Sequence, residues 1–430
     1  MYTKENKELI ELLKPELYNH ILDAKESFEM HSRQSIIHEI LLEFFKILEN
    51  GEDFFRNEKQ CFDYKIKEIK EKTQIPFSYL LNNNLYVPKE IKDYIIKEAT
   101  YVIDFHCPFE GRNSKINIVV FEKEITKEFL EKMKFYALKI YLWVYLLDKY
   151  AIKKCGNNLE LFLYLTPFKK ELPYSVQDII GPYHVNTGVS DVCQQSGEII
   201  VYRKEEWFKV FIHETMHNLG LDFSMIDNSN IKNKLRKVFT VQTDIKLFES
   251  YCEMWARLMN TIMEAYFFVK SERFKKIEKK ETFFIEKFYE AIKNEIIFSF
   301  YQALKVLEFM GLDYQTIINI NDINYSISKS LYKENSNVFA YYVITAILLL
   351  HVNDFLLWCY DNNENIINFK KTINNSNGES FVDFIEKISK KDKLLKLVIK
   401  LEDKISKDSI QKNKKMNLIK TMKMTLIGGD

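Results

Sequence analysis

The sequence predicts an α+β protein in which a helix-rich domain with a small mixed sheet is flanked by helical regions on both sides. Two runs of β-branched and aromatic residues, at 101–106 and 116–121, are separated by the turn-forming residues PFEGRNSK, which is typical of a hairpin. Apolar residues at helical spacing dominate the chain before and after this region. With 11 glycines and 7 prolines in 430 residues, the chain has the composition of a compact, helix-rich protein.

The individual elements follow from the local pattern. Helices are expected at 7–13, 16–27 and 35–48, and loops where prolines 76 and 88 and the asparagines at 82–84 interrupt the helical spacing. After the hairpin we expect a helix at 126–149, strands at 159–165 and 197–202, and a segment at 182–189 that ends in a turn. Further helices are expected at 281–307, 337–359 and 381–401. This order predicts three domains: a helical region at 1–95, a central domain at 96–275, and a helical region at 276–430 that ends in a lysine-rich tail.

The charges are balanced, with 62 Lys and Arg against 61 Asp and Glu, so no overall field favours nucleic acid or a membrane surface. Lysines repeat between Lys387 and Lys423, but acidic residues are interspersed and aromatics for base stacking are lacking. We therefore expect a solvated, partly frayed tail. The oligomeric state is not predictable from this pattern.

The chain is expected to be soluble and intracellular. Its first residues, MYTKENKELIELLKPEL, lack the apolar core of a signal peptide. The longest apolar run, 338–358, contains His351, Asn353 and Asp354, which favours a buried helix over a membrane span. The six cysteines form no C-x-x-C pair, so we expect isolated reduced thiols. The frequent use of Lys, Ile and Asn is typical of an AT-rich genome, such as that of a large DNA virus or an AT-rich microbe.

The most specific signal is the stretch 210–222, VFIHETMHNLGLD, in which His213, Glu214 and His217 form an H-E-x-x-H motif. On a helix, residues four apart lie on one face, so both imidazoles can reach one ion. Zn²⁺ binds neutral imidazole, and a carboxylate next to the first histidine is placed to act as a general base on a water. Gly220 is expected to end the helix. The motif predicts one zinc per chain, with two of its ligands and Glu214 as base.

The third ligand is expected from a second helix at 247–268, LFESYCEMWARLMNTIMEAYFF. Two of its carboxylates, Glu249 and Glu253, lie four apart on a side that also carries apolar residues, unlike a solvated helix face. One carboxylate could complete a tetrahedral site while the other accepts the N–H of a liganding histidine. From the residues alone, either could be the ligand.

Together the motif, the preceding strands and the second helix resemble the zincin metallopeptidases of the gluzincin type, over roughly residues 100–270. The second helix, with the Arg-Leu-Met that follows Glu253, is similar to the glutamate helix of the anthrax lethal factor catalytic domain. Carried over by position, the resemblance implies that Glu249 is the ligand and that Glu253 supports a ligand. Metzincins instead place a third histidine where this chain has Phe223, and Asp222 is one residue out of register for that role.

In zincins the substrate lies extended along an exposed strand beside the active helix, and 184–190 and 197–202 are the candidates for that edge. A tyrosine or histidine opposite the metal commonly stabilises the oxyanion. The candidates here are Tyr251, Tyr341, Tyr342 and His184, each of which could equally be a packing residue.

The sequence therefore predicts a zinc metallopeptidase, an endopeptidase acting on a restricted peptide or protein substrate. One alternative is a catalytically silent protein of zincin fold that binds a partner and keeps a stabilising zinc. Another is a helical interaction module in which the motif is fortuitous.

Overall fold

A computed structural model describes residues 2–21, 29–57, 63–83, 86–109, 112–151, 154–410 and 416–428. In chain order, its first elements are α1 (Lys4–Ile21), α2 (Glu29–Asn57), β1 (Asp63–Glu68), a 3-10 turn (Lys72–Gln74), α3 (Tyr79–Asn83), α4 (Lys89–Glu98), β2 (Tyr101–Phe109), β3 (Arg112–Val120), α5 (Lys127–Asp148), β4 (Asn158–Thr166), α6 (Pro182–Val185), β5 (Gly188–Ser190), β6 (Ser196–Arg203) and α7 (Trp207–Asn218). They are followed by α8 (Ser229–Leu235), α9 (Leu247–Lys270), α10 (Ile277–Phe309), α11 (Tyr314–Ile318), α12 (Asp322–Leu331), a π-helical turn (Phe339–Ile344), α13 (Thr345–Leu350), α14 (Val352–Asn362), α15 (Ser376–Ser389), α16 (Asp392–Ile410) and α17 (Met416–Lys420).

The chain forms two compact units that are interleaved in sequence. The sheet unit comprises Ile40–Lys169 and Asn186–Asp222, and the helical unit comprises Met1–Glu39, Lys170–Val185 and Phe223–Asp430. The three domains predicted from the sequence stay a prediction, because compact units and independently folding domains are different properties. The predicted α+β fold, with a mixed sheet and helical flanks, is confirmed.

The sheet unit is built on a six-stranded mixed sheet with the order β1-β2-β3-β4-β6-β5. The predicted hairpin is β2 and β3, which pair antiparallel from Tyr101↔Val120 to Phe109↔Arg112. Helix α5 connects β3 to β4, which run parallel, and β6 runs parallel to β4. The short strand β5 pairs antiparallel with β6 and ends the sheet.

Two expectations about the strands were wrong. The segment 197–202 is not an edge, because β6 lies between β4 and β5. The strand β1 falls in the region 1–95, where only helices and loops were expected. All six of its residues are exposed, so it lacks the apolar alternation that marks a half-buried strand.

The sheet is covered by helices because its central strands are apolar on both faces. One cluster joins Ile75, which follows the 3-10 turn, and side chains of α3 and α4 to aromatic and apolar residues of the central strands, namely Phe162 and Tyr164 on β4 and Ile200 and Tyr202 on β6. The alternate residues of β6, including Val201, are also buried. Helix α5 contacts β2, and α7 contacts β5, β6 and α5. Burial on both faces is typical of parallel strands inside a layered fold.

The expectation that all cysteines are reduced was wrong, because Cys155 and Cys193 form a disulfide. They lie 38 residues apart, a spacing with no motif that could have indicated the pair. The side chains of Cys252 and Cys359 are buried thiols. Cys61 lies outside the described residues.

The helical unit packs around α9 and α10, which contact each other, the π-helical turn and α13. A cluster of aromatic rings surrounds Tyr251 of α9, with Phe355, Phe369 and Phe381 at centroid distances of 6.0, 5.3 and 5.8 Å. Aromatic pairs at these distances stabilise a fold by more than the burial of their apolar area alone.

The expectation of a frayed tail was wrong, because residues near the end of the helical unit are buried. Leu418, Met422 and Ile427 are fully buried. Buried polar groups bind the backbone here: Lys305 donates from Nζ to the carbonyl of Leu418 at 3.0 Å, and Gln302 donates to that of Lys423 at 2.6 Å. Residues 411–415, which fall in the predicted tail, lie outside the described residues.

Within the described parts of the chain, no single helix combines the length and the apolar composition needed to cross a membrane. Phe339–Leu350 and Val352–Asn362 meet those criteria only as a pair, which is bent by 93°.

Candidate metal centre

The motif helix α7 is buried along its whole length, from Trp207 to Asn218. Its end follows the prediction: Gly220 adopts a left-handed φ of +64°, and its N–H bonds the carbonyl of His217 at 3.0 Å. The N–H of Leu221 then reaches the carbonyl of Met216 at 2.9 Å, a pattern that satisfies the last carbonyls of a helix. The ring of His217 is therefore carried on a terminated, hydrogen-bonded last turn.

Each of the two histidine rings directs its Nε2 atom at a common point. The Nε2 atoms of His213 and His217 lie 3.2 Å apart, and both residues are buried. Two nitrogens that each bind a tetrahedral zinc at about 2.0–2.1 Å lie about 3.3 Å from each other. The pair therefore has the spacing of two imidazole ligands of one ion.

Asp222 determines the tautomer of His217. Its carboxylate is fully buried, and Oδ2 bonds Nδ1 of the His217 ring. Because a carboxylate accepts, the proton is assigned to Nδ1, which leaves the Nε2 lone pair directed at the point shared with His213. A carboxylate behind a liganding histidine is a common support in metal sites. This residue was considered from the sequence only as an out-of-register ligand.

Glu214 is held by the edge strand. The hydroxyl of Ser190 on β5 lies 2.9 Å from Oε2 of Glu214 and 3.1 Å from its backbone carbonyl. The strand approaches α7 this closely because position 188 is glycine: a Cβ there would lie 2.7 Å from Val210 Cγ1 and 3.3 Å from Glu214 Cγ. The predicted edge at 184–190 is thus confirmed for Gly188–Ser190, which lies beside the motif helix.

The middle of α7 is tied to α5 by a buried hydrogen bond. Trp143 donates from Nε1 to the hydroxyl of Thr215 at 2.6 Å, and both side chains are fully buried. Thr215 in turn donates to the backbone of its own helix, at Ile212 (2.7 Å) or Phe211 (3.0 Å). Because residues two apart on a helix lie on opposite sides, this contact fixes the face of α7 that points away from the two histidines.

In the helical unit, α9 carries Glu249 in its first turn and Glu253 one turn later. The Glu249 carboxylate accepts from Tyr341 Oη at 2.9 Å and from Asn337 Nδ2 at 3.4 Å. Glu253 is only 1% exposed and accepts from Nε of Arg257 at 2.9 Å. Glu249 and Glu253 therefore have different surroundings.

The remaining candidate residues bond to the backbone. Tyr251 donates to the carbonyl of Ile367 at 2.6 Å, and burial raises the pKa of its hydroxyl well above the ordinary value. Tyr342 donates to the carbonyl of Met422 at 2.6 Å. His184 accepts at Nδ1 from the N–H of Gly181 at 3.1 Å. These bonds are those of packing residues, whereas Tyr341 bonds a predicted ligand, Glu249.

The site residues that sequence reasoning missed are Ser190, Asn337 and the supporting role of Asp222. Only Asp222 has a local signal, because it lies directly after the turn that ends the motif helix. Ser190 and Asn337 come from distant elements and carry no motif.

The described residues contain groups of histidine, cysteine and acidic side chains that could hold a metal ion, and His217 belongs to each of them. The donor set of α7 fits zinc, since neutral imidazole is among the ligands that zinc prefers.

Comparison with known proteins finds a relative, whose description names no function. The chain is 28% identical, over 190 residues, to a protein described as "Uncharacterized protein R210" of Acanthamoeba polyphaga mimivirus. The match covers 38% of this chain and 48% of that protein, so it spans about half the length of the relative. No family model and no solved structure matches the chain.

Proposed function

We propose that this protein is a zinc-dependent peptidase of the gluzincin type. In this proposal His213 and His217 bind the ion through Nε2, Glu249 is the third ligand, and Glu214 is the general base. The observation that carries the proposal is the 3.2 Å separation of the two Nε2 atoms on one buried helix that also carries Glu214.

The surroundings of the two candidate ligands on α9 support Glu249 over Glu253. Glu253 forms a buried ion pair with Arg257, and withdrawing a carboxylate from such a pair costs several kcal/mol. Glu249 accepts hydrogen bonds from two uncharged groups, the hydroxyl of Tyr341 and the side-chain amide of Asn337. Both are donors that a carboxylate can keep while it binds an ion through a remaining lone pair.

When bound, zinc supplies Lewis-acid chemistry, polarising a peptide carbonyl and lowering the pKa of water to about 7. Glu214 takes the proton of the attacking water and returns it to the leaving amine, so its carboxylate must keep one orientation through both transfers. Ser190, donating to Oε2, holds it in that orientation. Asp222 keeps the proton of His217 on Nδ1.

The edge strand β5 suits an extended peptide substrate. It is the last strand of the sheet and contacts α7. The hydroxyl of its Ser190 donates a hydrogen bond to the carboxylate of Glu214. A peptide that pairs with such an edge gains backbone hydrogen bonds whatever its sequence, and side-chain pockets then select the substrate. We propose a restricted peptide or protein substrate on this basis. The intracellular location stays a prediction from the sequence.

The test is metal content and peptide hydrolysis, measured on the wild type, Glu214→Gln, His217→Ala and Glu249→Ala. We expect about one zinc per chain in the wild type and in Glu214→Gln, hydrolysis only in the wild type, and loss of zinc in the other two. An exposed glutamate outside the site, Glu272, provides the matched control Glu272→Gln, which should keep both zinc and hydrolysis.

Each departure from this pattern has a distinct meaning. Loss of zinc in Glu214→Gln contradicts its role as base. Zinc retained in Glu249→Ala contradicts its role as ligand. Zinc without hydrolysis of any peptide in a broad library favours the silent zinc-stabilised protein, and no zinc in the wild type overturns the proposal.

A further inference from the structure

The carboxylate of Glu249 is held at both oxygens by one short segment of chain. Tyr341 donates to Oε2 at 2.9 Å, and Asn337 donates to Oε1 at 3.4 Å. The terminal torsion of a glutamate is broad and roughly two-fold, so a free carboxylate samples many orientations. Donors on both oxygens restrict that rotation.

The backbone of this segment is unusual at both donors. Asn337 has a left-handed φ of +52°, which asparagine tolerates better than most residues. Tyr341 lies in the π-helical turn Phe339–Ile344. A π-helical turn contains an extra residue, which changes the direction of the side chains within it, and such turns are frequent at functional sites. The neighbouring hydroxyl of Tyr342 bonds the carbonyl of Met422, so adjacent tyrosines have unrelated partners.

The same turn is fastened to α9 through its backbone. Ser250, the residue after Glu249, donates to the carbonyl of Ala340 at 3.2 Å. Arg257 donates from Nη2 to the carbonyl of Tyr341 at 3.2 Å, and its Nε is paired with Glu253. The buried ion pair on α9 thus fixes the peptide that carries Tyr341, and the hydroxyl of Tyr341 bonds Glu249 on the same helix.

We propose that Tyr341 and Asn337 are positioning residues that hold the Glu249 carboxylate in one orientation for the metal, with the Glu253–Arg257 pair anchoring Tyr341. This inference rests on the proposed function, in which Glu249 is a ligand. Partners behind a ligating side chain reduce the freedom that it loses on binding, and removing one typically weakens metal affinity 10–100-fold. Tyr341 therefore acts through Glu249, in place of the oxyanion role considered from the sequence.

The experiment measures zinc affinity by competition with a chromophoric chelator, together with the melting temperature of the metal-free protein. Tyr341→Phe should weaken zinc binding about 10–100-fold. Asn337→Gly, which keeps the left-handed backbone, should weaken it less because its bond is longer. The control is Tyr342→Phe on the same π-helical turn: it removes a buried hydrogen bond and lowers the melting temperature, but leaves zinc affinity unchanged.

A double-mutant cycle separates positioning from general damage. In a Glu249→Gln background the carboxylate is absent, so Tyr341→Phe should cause no further loss of zinc affinity. If Tyr341→Phe binds zinc like the wild type while Glu249→Gln does not, the positioning role is overturned and the proposed function stands. If the wild type binds no zinc, or Glu249→Gln binds it fully, the proposed function fails and the positioning role fails with it.

Discussion

Removal of the Cys155–Cys193 disulfide should destabilise the sheet unit by about 4 kcal/mol. The bond joins residues 38 positions apart, and the chain-entropy relation gives about 4 kcal/mol for a loop of that length at 25 °C. Replacing both cysteines with alanine changes little volume, so the entropy of the unfolded chain dominates the effect. The region is sensitive because the N–H of Cys193 bonds the carbonyl of His217 at 3.3 Å, and Gly220 packs against both sulfurs.

The four tryptophans allow the sheet unit to be observed separately. Trp143 and Trp207 belong to it, while Trp255 and Trp358 belong to the helical unit. In a background with Trp255→Phe and Trp358→Phe, fluorescence during urea unfolding reports the sheet unit. The double-alanine variant should unfold at a lower urea concentration, and the shift multiplied by the slope of the transition gives the free energy.

Reduction provides an independent version of the same perturbation. A dithiol reductant should lower the stability of the protein with native cysteines to that of the double-alanine variant, and should not affect the variant itself. A difference below about 1 kcal/mol between oxidised and reduced protein would refute the reasoning, since loop closure alone predicts several times that value.

Two further predictions concern single carboxylates. Asp222→Asn should weaken zinc binding about 10–100-fold in chelator competition, because the support behind His217 is lost, whereas Asp227→Asn on the exposed loop that follows should not; equal affinities would contradict the role of Asp222. The second concerns Glu334, which accepts from the N–H of Phe339 at 3.0 Å and whose pKa is raised by burial from 4.5 to about 7. A raised carboxyl pKa means that the folded state holds the proton more tightly, so the stabilising contribution present below pH 4.5 is lost as the pH rises through about 7. Relative to Glu334→Gln, the native protein should lose about 2–3 kcal/mol of unfolding free energy between pH 5 and pH 8 in denaturant titrations, and a constant difference across that range would contradict the assigned shift.

The features that the sequence predicted correctly have local signals. The hairpin shows two β-rich runs around a turn, and the motif helix has its apolar spacing and Gly220 as its stop. The helix expected at 126–149 is present as Lys127–Asp148, and the structure adds that Thr126 caps it by accepting from the N–H of Phe129 at 3.2 Å. The relative placement of His213 and His217 follows from helical geometry alone.

The features that it missed depend on partners far along the chain. Tyr341 reaches Glu249 across 92 positions, and no pattern near either residue indicates the contact. The strand β1 forms by pairing with β2, because its own residues are all exposed and show no apolar alternation. Lys423 was expected in solvent from its charge, yet its Nζ bonds the side chain of Asn6 at 2.8 Å. In each case tertiary contacts outweigh the local pattern.

The contact between the first helix and the last segment has a consequence for the order of events during synthesis. Asn6 bonds the backbone of Leu426, 420 positions later. At about 5–20 residues per second, a ribosome makes that partner roughly 20–80 s after it makes Asn6. Throughout this interval the apolar residues Leu9, Ile10 and Leu13, which are buried in the finished protein, have no completed core to enter. The helical unit can therefore form only after translation has passed through the entire sheet unit, and the nascent α1 is a segment that a chaperone would hold.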